Sequence, residues 1–407
     1  MEISLQRPCP VCTNTEGEVL HHQQYHAPSE LNAPAEVDIV ACARCGLGFA
    51  DLPTTQATLD ETYRDHSKYA DTSLYAQEDD ENEIEFQMPT DAPWDLQRLA
   101  GTAAWLATKV DPSVRVLDAG CATGALLGFL QKEGFRNIVG LDPSPVATAT
   151  AARAYGVQTV TGSFLTPPDD IGQFDVVVLS HVLEHIADVA GSIAGMWQLT
   201  RPGGFVYIEV PDAERYVDHL VAPYHDFNTE HINHFSGRVL RLAMELGGFE
   251  TVLVEQKDVL CSPTDLYPAT YGLFRRTKAP ATDVVVERDD ALVDALRRYA
   301  TASGELLNSI GERIRHELGG DPLVVWGAGQ LSMKLLAGPL SDMDVVALVD
   351  TSAGKWGQRY GDLVVVGPAD LPADDTPLLV TSIHHQASIR ASIESSFPGR
   401  SVTVLRD

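Results

Sequence analysis

The sequence predicts an α/β protein with a small cysteine-rich module at its N-terminus and two open, doubly wound sheets after it. Three observations predict this class. Two C-x-x-C pairs lie within the first 45 residues, and a strand followed by a glycine turn and a helix begins near Arg115 and again near Pro322. The expected domains are the N-terminal module with its linker (1–75), a first α/β domain (76–256), a helical connector (257–320) and a second α/β domain (321–407).

Charge and hydropathy limit the classes of partner. The 407 residues include 57 acidic and 29 basic side chains, a formal net charge of −28. A field of that sign repels polyanions, so a nucleic-acid partner is not expected. The sequence has no stretch of 18 apolar residues and no basic-then-apolar leader. We therefore expect a soluble, cytoplasmic protein without a membrane partner, acting on a small molecule as a monomer or homodimer.

The N-terminal cysteines predict a metal site. Cys9 and Cys12 form one C-x-x-C pair and Cys42 and Cys45 form the other, with 29 residues between the pairs. Two such pairs in a chain without a leader are typical of metal ligation and not of disulfides. Four thiolates fill the tetrahedral shell of Zn²⁺, whereas catalytic zinc keeps one position open. The prediction is therefore a structural zinc-binding module.

The first glycine turn is the centre of the second domain. Arg115 to Asp118 has strand character, and Ala125 to Glu133 has a helical pattern with Leu126, Leu127 and Leu130 on one face. The intervening V-L-D-A-G-C-A-T-G lacks the G-x-G-x-x-G spacing of dinucleotide sites. An acid at the strand end suits a cofactor with a cationic amino-acid tail. The turn therefore predicts a site for S-adenosylmethionine (SAM).

The elements that follow fit the same interpretation. Asn137 to Asp142 is a second strand that ends in an acid 22 residues after Gly120, where it can accept both ribose hydroxyls. Gly162 to Phe164 is a plausible adenine shelf, Phe174 to Ser180 has the apolar run of a fully buried strand, and a fifth strand follows Arg201. These ordered elements resemble class I SAM-dependent methyltransferases. The candidate cofactor residues are Asp118, Gly120, Cys121, Gly124, Asp142, Pro143, Ser163, Phe164, Ser180 and His181.

A histidine-rich segment follows the fifth strand. Residues 223–236 carry Tyr224, His225, Asp226, Glu230, His231 and His234 within eleven positions. So dense a set of titratable groups indicates an active site, and a loop after this strand belongs at the carboxyl edge of the sheet, where ligands bind. Tyr63, Tyr69 and Tyr75 of the preceding linker are a further expectation, as residues that fold over the cofactor.

The second glycine turn is weaker as a nucleotide motif. Pro322 to Gly329 ends in G-A-G, and Asp350 ends the next strand about twenty residues on. The third glycine is absent, since Ser332 stands three residues after Gly329. The segment predicts a Rossmann-like domain that has lost its nucleotide, with a bound NAD as the alternative.

The order of these parts resembles that of the sugar C-methyltransferases, which add a methyl group to carbon 3 of a nucleotide-linked 4-keto-deoxysugar. In that family the loop is approximately Y-H-E-H-L-x-Y-F-S, with the second histidine as base and the tyrosine and glutamate assisting. The matching positions here are Glu230 and His231, while Asn228 and Thr229 stand at the tyrosine and first-histidine positions. The resemblance implies a nucleotide-sugar substrate.

The chemistry expected of the loop is proton transfer. An imidazole with a pKa near neutrality can remove a proton next to a ketone, and the enolate oxygen then needs a hydrogen-bond donor. We expect His231 to be the base, Glu230 to orient it or bind a sugar hydroxyl, and Asn228 or Tyr224 to donate to the oxygen. The same base could deprotonate a hydroxyl or an ammonium, so O- and N-methylation stay open.

Overall fold

The computed structural model describes residues 2–29, 34–65, 93–278, 283–371 and 375–406. Residues in these ranges form two compact units. The first unit comprises Met1–Glu18, Ala41–His219 and Ile232–Val293, and the second comprises Val19–Val40, Leu220–His231 and Asp294–Asp407. Tyr69 and Tyr75 lie outside the described residues, as does the side chain of Tyr63, so the expected tyrosine cover stays a prediction.

The elements from the N-terminus to residue 276 contain twelve strands and six helices among the described residues. The strands are β1 (Glu2–Ser4), β2 (Glu16–Gln24), β3 (Glu36–Cys42), β4 (Gly48–Ala50), β5 (Arg115–Ala119), β6 (Asn137–Asp142), β7 (Gln158–Thr161), β8 (Phe174–Ser180), β9 (Thr200–Pro211), β10 (Asn233–His234), β11 (Phe249–Leu260) and β12 (Leu266–Arg276). The helices are α1 (Gln56–Asp65), α2 (Pro93–Ala107), α3 (Ala125–Lys132), α4 (Pro145–Tyr155), α5 (Val189–Leu199) and α6 (Gly237–Leu246).

The first unit is built on a seven-stranded sheet in the order β11-β12-β9-β8-β5-β6-β7. Strands β5 to β9 are parallel, and β12 is antiparallel to both of its neighbours. Asp118 therefore pairs with Gly140 on one side and Val178 on the other, and the carboxyl ends of β5, β6 and β8 meet at one edge. This confirms the doubly wound sheet and puts the glycine turn at its ligand-binding edge.

Apolar runs account for the core of this unit. Strand β8 is buried from Val176 to Leu179, as its continuous apolar sequence predicts for a strand covered on both faces. The predicted face of α3 is also buried, with Leu126, Leu127 and Leu130 at most 3% exposed. At about 25 cal/mol per Å² of apolar area, such side chains each contribute roughly 2 kcal/mol to folding.

The N-terminal segment is anchored within the same unit. Strand β1 pairs with the start of β2, and β10 pairs with β4. The buried guanidinium of Arg7 donates to the carbonyl of Ala50 (3.1 Å) and to Asn233 Oδ1 (3.2 Å). One cation thus ties the beginning of the chain to residues more than 200 positions later.

The segment expected to be a helical connector (257–320) differs from that expectation in its first part. Residues 257–260 end β11, and Leu266–Arg276 forms β12. Aromatic residues such as Tyr267, Tyr271 and Phe274 suit a pleated strand with strand partners on both sides. The helix begins only at Asp290.

The second unit is Rossmann-like, as predicted. Besides the greater parts of β2 and β3, its elements are most of α7 (Asp290–Leu318), then β13 (Leu323–Trp326), α8 (Gln330–Ala337), β14 (Val345–Val349), β15 (Arg359–Tyr360), β16 (Leu363–Val366), β17 (Leu378–Val380), α9 (Gln386–Ser396) and β18 (Val402–Val404). The sheet order is β15-β16-β14-β13-β17-β18, parallel except for β15. Helix α7 continues without a break through Ser303 and Gly304. Among the described helices, none has the length and hydropathy to span a bilayer.

Candidate active site

The glycine turn after β5 has the backbone that its sequence requires. Gly120 and Gly124 have φ of +81° and +88°, in the left-handed region that glycine adopts without strain. A Cβ at Gly120 would lie 2.6 Å from a methyl carbon of Val182. The turn therefore approaches the segment after β8 more closely than any side chain allows.

Asp142 is held in place by the turn. Its Oδ2 accepts the backbone N–H of Ala122 and its Oδ1 that of Ser144, both at 2.9 Å. A carboxylate has about four lone-pair directions, so two remain for other donors. A ribose diol is a donor pair that fits this carboxylate, and the predicted role of Asp142 is compatible with the geometry.

Asp118 is a buried acid at the end of β5, only 3% exposed. Burial and the nearby charge of Asp142 raise the pKa of Asp118 to about 7, while the Arg98 guanidinium opposes that rise. A buried carboxylate with a raised pKa is stabilised when a cation approaches it. The ammonium of an amino-acid tail would supply such a charge, so the pair Asp118 and Asp142 fits SAM.

The other predicted cofactor residues are buried or half-buried. Cys121 is buried, and a Cβ at Gly140 would lie 2.7 Å from its Sγ, so the thiol packs against β6. Phe164 is 5% exposed, and its carbonyl oxygen lies against Gly195 of α5. Pro143 and Ser163 are half-buried beside these residues. The adenine shelf at residues 163–164 stays a prediction.

His181 lies directly after β8 in a left-handed conformation, with φ of +55°. Its Nδ1 is 3.3 Å from Glu184 Oε1, and its Nε2 is 3.3 Å from Glu209 Oε1. Burial and the charge of Arg98 lower the pKa of His181, but the two carboxylates outweigh them and the net shift is upward. The histidine is thus stabilised as a cation at the sheet edge, next to Ser180, whose Oγ accepts from Arg98 at 2.6 Å.

Glu209 is the centre of a polar network that the sequence analysis missed. This fully buried carboxylate accepts from Tyr207 Oη (2.6 Å), Lys257 Nζ (2.7 Å) and Thr102 Oγ1 (3.1 Å). Burial raises its pKa, yet His181, Arg98 and Lys257 together hold that pKa well below its usual range. The sequence signal for this network is Glu209 itself, a charged residue inside the apolar run Y-I-E-V-P. A charged side chain in such a run is buried, and a buried acid needs hydrogen-bonding or charged partners.

The histidine-rich segment divides between the two units. Residues 232–236 belong to the first unit, where His234 is fully buried and burial lowers its pKa to about 3, with the charge of Arg7 acting in the same direction. Tyr216 packs edge-on against its ring. His234 is therefore a neutral core residue, although the sequence analysis counted it in the active-site cluster.

Residues 220–231 belong to the second unit and contain the four predicted catalytic residues. Asn228 Oδ1 accepts the backbone N–H groups of Glu230 and His231, both at 2.8 Å, and Asn228 Nδ2 donates to the carbonyl of His225 at 3.0 Å. The side chain of Asn228 thus fixes the turn that presents an exposed Glu230 and a half-buried His231. Because its amide donor is bonded inside the loop, Asn228 shapes the loop.

Tyr224 is buried within the second unit, and burial raises its pKa. Its ring stacks on His21 with the centroids 4.2 Å apart, and it also stacks on Phe227. Tyr25 Oη donates to the carbonyl of Phe227 at 3.0 Å. Tyr224 is therefore part of an aromatic stack that holds the loop to the β2 segment, and its predicted donor role is untested.

The four cysteines of the N-terminal module are buried together. The Sγ atoms of Cys9 and Cys45 are 3.5 Å apart, as are those of Cys12 and Cys42, and all four ligand atoms lie within 4.8 Å of one another. A tetrahedron with Zn–S bonds of about 2.3 Å has edges of about 3.8 Å. The arrangement fits a closed four-thiolate site for zinc.

Comparison with known proteins also indicates a methyltransferase domain. Residues 85–254 match a family model described as a methyltransferase domain. A ubiquinone biosynthesis O-methyltransferase of Methylocella silvestris is 34% identical over 103 residues, 23% of this chain and 38% of the relative. An uncharacterised 37.1 kDa protein in transposon TN4556 of Streptomyces fradiae is 31% identical over 154 residues, 33% of this chain and 44% of the relative. The chain thus spans about two fifths of the length of these relatives.

Solved structures give a weaker likeness. The magnesium protoporphyrin IX methyltransferase of Synechocystis PCC 6803 with bound SAM has a TM-score of 0.38 and 15% identity, covering 55% of this chain and 97% of that one. A SAM-dependent methyltransferase of Methanosarcina mazei has a TM-score of 0.36 and 14% identity, covering 42% and 97%. Likeness at this level does not bear on the activity. The sheet order of the first unit is that of an open, doubly wound α/β fold, and residues 85–254 match the family model of a methyltransferase domain.

Proposed function

We propose that the chain is a SAM-dependent methyltransferase that acts on a nucleotide-linked keto-deoxysugar and methylates carbon. The observation that supports cofactor binding most directly is the pairing of the glycine turn with Asp142, whose carboxylate is oriented by Ala122 and Ser144. Support for the sugar comes from the order of the parts and from the Glu230-His231 segment.

The cofactor supplies an electrophilic methyl sulfonium when it is bound. Asp142 would bind the ribose hydroxyls, Asp118 would attract the ammonium of the amino-acid tail, and Gly120 and Gly124 would let the backbone approach the nucleoside. Positioning of this kind is the main demand on the protein, because the reacting atoms must lie in line and close together.

The loop carries the proton chemistry in this proposal. His231 removes the proton from the carbon next to the ketone, and Glu230, exposed beside it, binds a sugar hydroxyl or orients the imidazole. Asn228 supports both residues by accepting their backbone N–H groups. Tyr224 is the remaining candidate for the hydrogen bond to the enolate oxygen.

O-methylation is the second candidate, and the names of the curated relatives favour it, since several are ubiquinone biosynthesis O-methyltransferases. The same residues would serve, with His231 taking a proton from a hydroxyl group. N-methylation would use the base in the same way.

The zinc site is the third part of the proposal. Cys9, Cys12, Cys42 and Cys45 would hold Zn²⁺ with no open position, so the metal would stabilise the N-terminal module and would not contact substrate. All four cysteines belong to the first unit, as do Asp118 and Asp142.

The test uses His231→Ala, with His316→Ala as the control at an exposed histidine of α7. Calorimetry should show unchanged SAM binding in both variants. Turnover of a nucleotide-linked 4-keto-deoxysugar should fall at least about 100-fold in His231→Ala only, because general-base catalysis contributes about 10²–10⁴-fold. Normal turnover in His231→Ala would show that the base is another residue.

A second measurement separates the two candidates. In D₂O without cofactor, a carbon-methylating enzyme should exchange the proton next to the ketone for deuterium, and His231→Ala should abolish that exchange. Absence of exchange in an enzyme that does transfer the methyl group would favour O-methylation.

A further inference from the structure

Helix α8 contacts the loop that carries the predicted catalytic residues. Both elements belong to the second unit. Gln330 and Lys334 are four residues apart on α8, so their side chains share one face of the helix. Each of them binds one end of the segment 224–229, as the hydrogen bonds of the two side chains show.

Gln330 binds Thr229 with both ends of its amide. Its Nε2 donates to Thr229 Oγ1 at 2.6 Å, and its Oε1 accepts the backbone N–H of Thr229 at 3.4 Å. Thr229 directly precedes Glu230 and His231 in the chain. The glutamine therefore restrains the backbone immediately before both residues.

Lys334 binds the other end. Its Nζ donates to the backbone carbonyl of Tyr224 and lies 5.9 Å from the centre of the Tyr25 ring. The side chain is 2% exposed in a chain whose lysines are otherwise expected at the surface. Burial of an ammonium is costly, so a lysine with one carbonyl partner indicates that this contact matters.

The turn before α8 is occupied by the domain's own side chains. Ser332 Oγ donates to the carbonyl of Gly327, and Thr381 Oγ1 also bonds that carbonyl, at 3.0 Å. In a dinucleotide-binding domain, the corresponding helix directs its N-terminus at a phosphate. Here the side chains of its first two turns bind a loop of the protein.

We propose that α8 is a positioning helix for the loop: Gln330 and Lys334 fix Thr229 and Tyr224 and so set the orientation of Asn228, Glu230 and His231. The proposal rests on the proposed function in that the loop carries the base. Neither side chain is a catalytic residue, since Lys334 is buried and Gln330 bonds only to Thr229 among the contacts described. The Rossmann-like domain then contributes to the reaction through its contacts with this loop.

The main test is a double-mutant cycle on Gln330 and Thr229. Gln330→Met and Thr229→Val each remove the side-chain hydrogen bond at similar volume, and Thr229→Ser keeps the hydroxyl. We expect each removal to lower kcat about tenfold with SAM affinity unchanged, the double variant to be no worse than either single variant, and Thr229→Ser to retain kcat. Additive losses, or kcat within about twofold of the wild type, would contradict the proposal.

A readout independent of activity is hydrogen exchange at the backbone amides of Glu230 and His231, which donate to Asn228. Exchange should become faster in Gln330→Met and in Lys334→Met, and remain unchanged in the control Lys355→Met, a lysine of the same unit that pairs with Asp350. Unchanged exchange in the first two variants would overturn the positioning role. Because this measurement needs no substrate, it stands even if the wild type methylates no sugar.

Discussion

The two glycine turns of the molecule share three hydrogen bonds of equal length, and the acids that follow them, Asp142 and Asp350, differ in their cationic partners. In the first, Gly120 N donates to Leu141 O at 2.7 Å, Ala122 N to Asp142 Oδ2 at 2.9 Å, and Ser144 N to Asp142 Oδ1 at 2.9 Å. The second turn repeats the three bonds at the same lengths, from Gly327 to Val349 and from Ala328 and Ser352 to Asp350.

The difference is the cation on the second acid. Lys355 Nζ lies 2.9 Å from Asp350 Oδ2, whereas the described residues provide no ion pair for Asp142. A carboxylate that already has a lysine and two backbone donors has little acceptor capacity left for a ribose. With the same backbone geometry, Asp142 therefore keeps acceptor capacity for a ligand and Asp350 keeps little.

The largest expected difference between the units is dependence on metal. Cys9→Ser combined with Cys12→Ser should release one zinc ion and unfold the N-terminal module, because a small core of this kind depends on metal binding worth about 10 kcal/mol or more. Residues 294–407 of the second unit form its Rossmann-like part, contain none of the four cysteines and should keep their structure. Metal analysis and hydrogen exchange would measure both, and retention of the metal by the double variant would contradict the zinc assignment.

The next effect compares the two acids directly. Asp142→Ala should weaken SAM binding at least about 100-fold, because hydrogen bonds to a charged group contribute about 1.5–3 kcal/mol each. Asp350→Ala is the matched control and should leave SAM affinity within about twofold of the wild type. Calorimetry gives both values. A comparable loss in Asp350→Ala would mean that the second turn contributes to the cofactor site.

The smallest expected effect is on the pH dependence of the folding stability, which should have opposite signs for Asp118 and Lys334. Burial raises the pKa of Asp118 to about 7, so the folded protein binds the proton of this carboxyl group more tightly than the unfolded chain does. The stability that the bound proton contributes is lost as the pH rises towards 7. Burial lowers the pKa of Lys334 from 10.5 to about 7, with Asp226 opposing, so the unfolded chain binds more protons between those values and stability rises with pH there.

Ligand-free calorimetry at several pH values would check both signs. Relative to the wild type, Asp118→Asn should gain more thermal stability at pH 8 than at pH 5, and Lys334→Met should gain more at pH 7 than at pH 9.5. Each difference should amount to a few degrees. Melting curves that shift in parallel across these pH ranges would contradict the burial of the charged groups.

The fold was largely predictable because its signals are local. The apolar run of β8, the glycines at positions 120 and 124, and the C-x-x-C spacing each depend on a few neighbouring residues, and the structure has them where they were expected. Strand β12 was missed since its position between β9 and β11 depends on pairing with distant strands. The apolar pattern of Leu266–Arg276 does not by itself distinguish a strand from a helix.

The candidate site was predictable only in part. Asp118, Asp142 and the turn between them follow from strand ends, whereas the Glu209 network joins residues of α2, β9 and β11 that are up to 155 positions apart. The burial of His234 could not be predicted from the sequence either, because a histidine in a dense polar segment has the same sequence pattern in a core as in an active site.

The sequence by itself determined the chemistry of the two turns and of the cysteine module, because hydrogen bonds and ligand spacing there involve residues close along the chain or repeated at fixed intervals. Only the tertiary structure decided which buried charges have partners and which helix holds the histidine-rich loop. Those contacts, such as Lys334 with Tyr224 across 110 positions, depend on the path of the whole chain, and no local pattern encodes them.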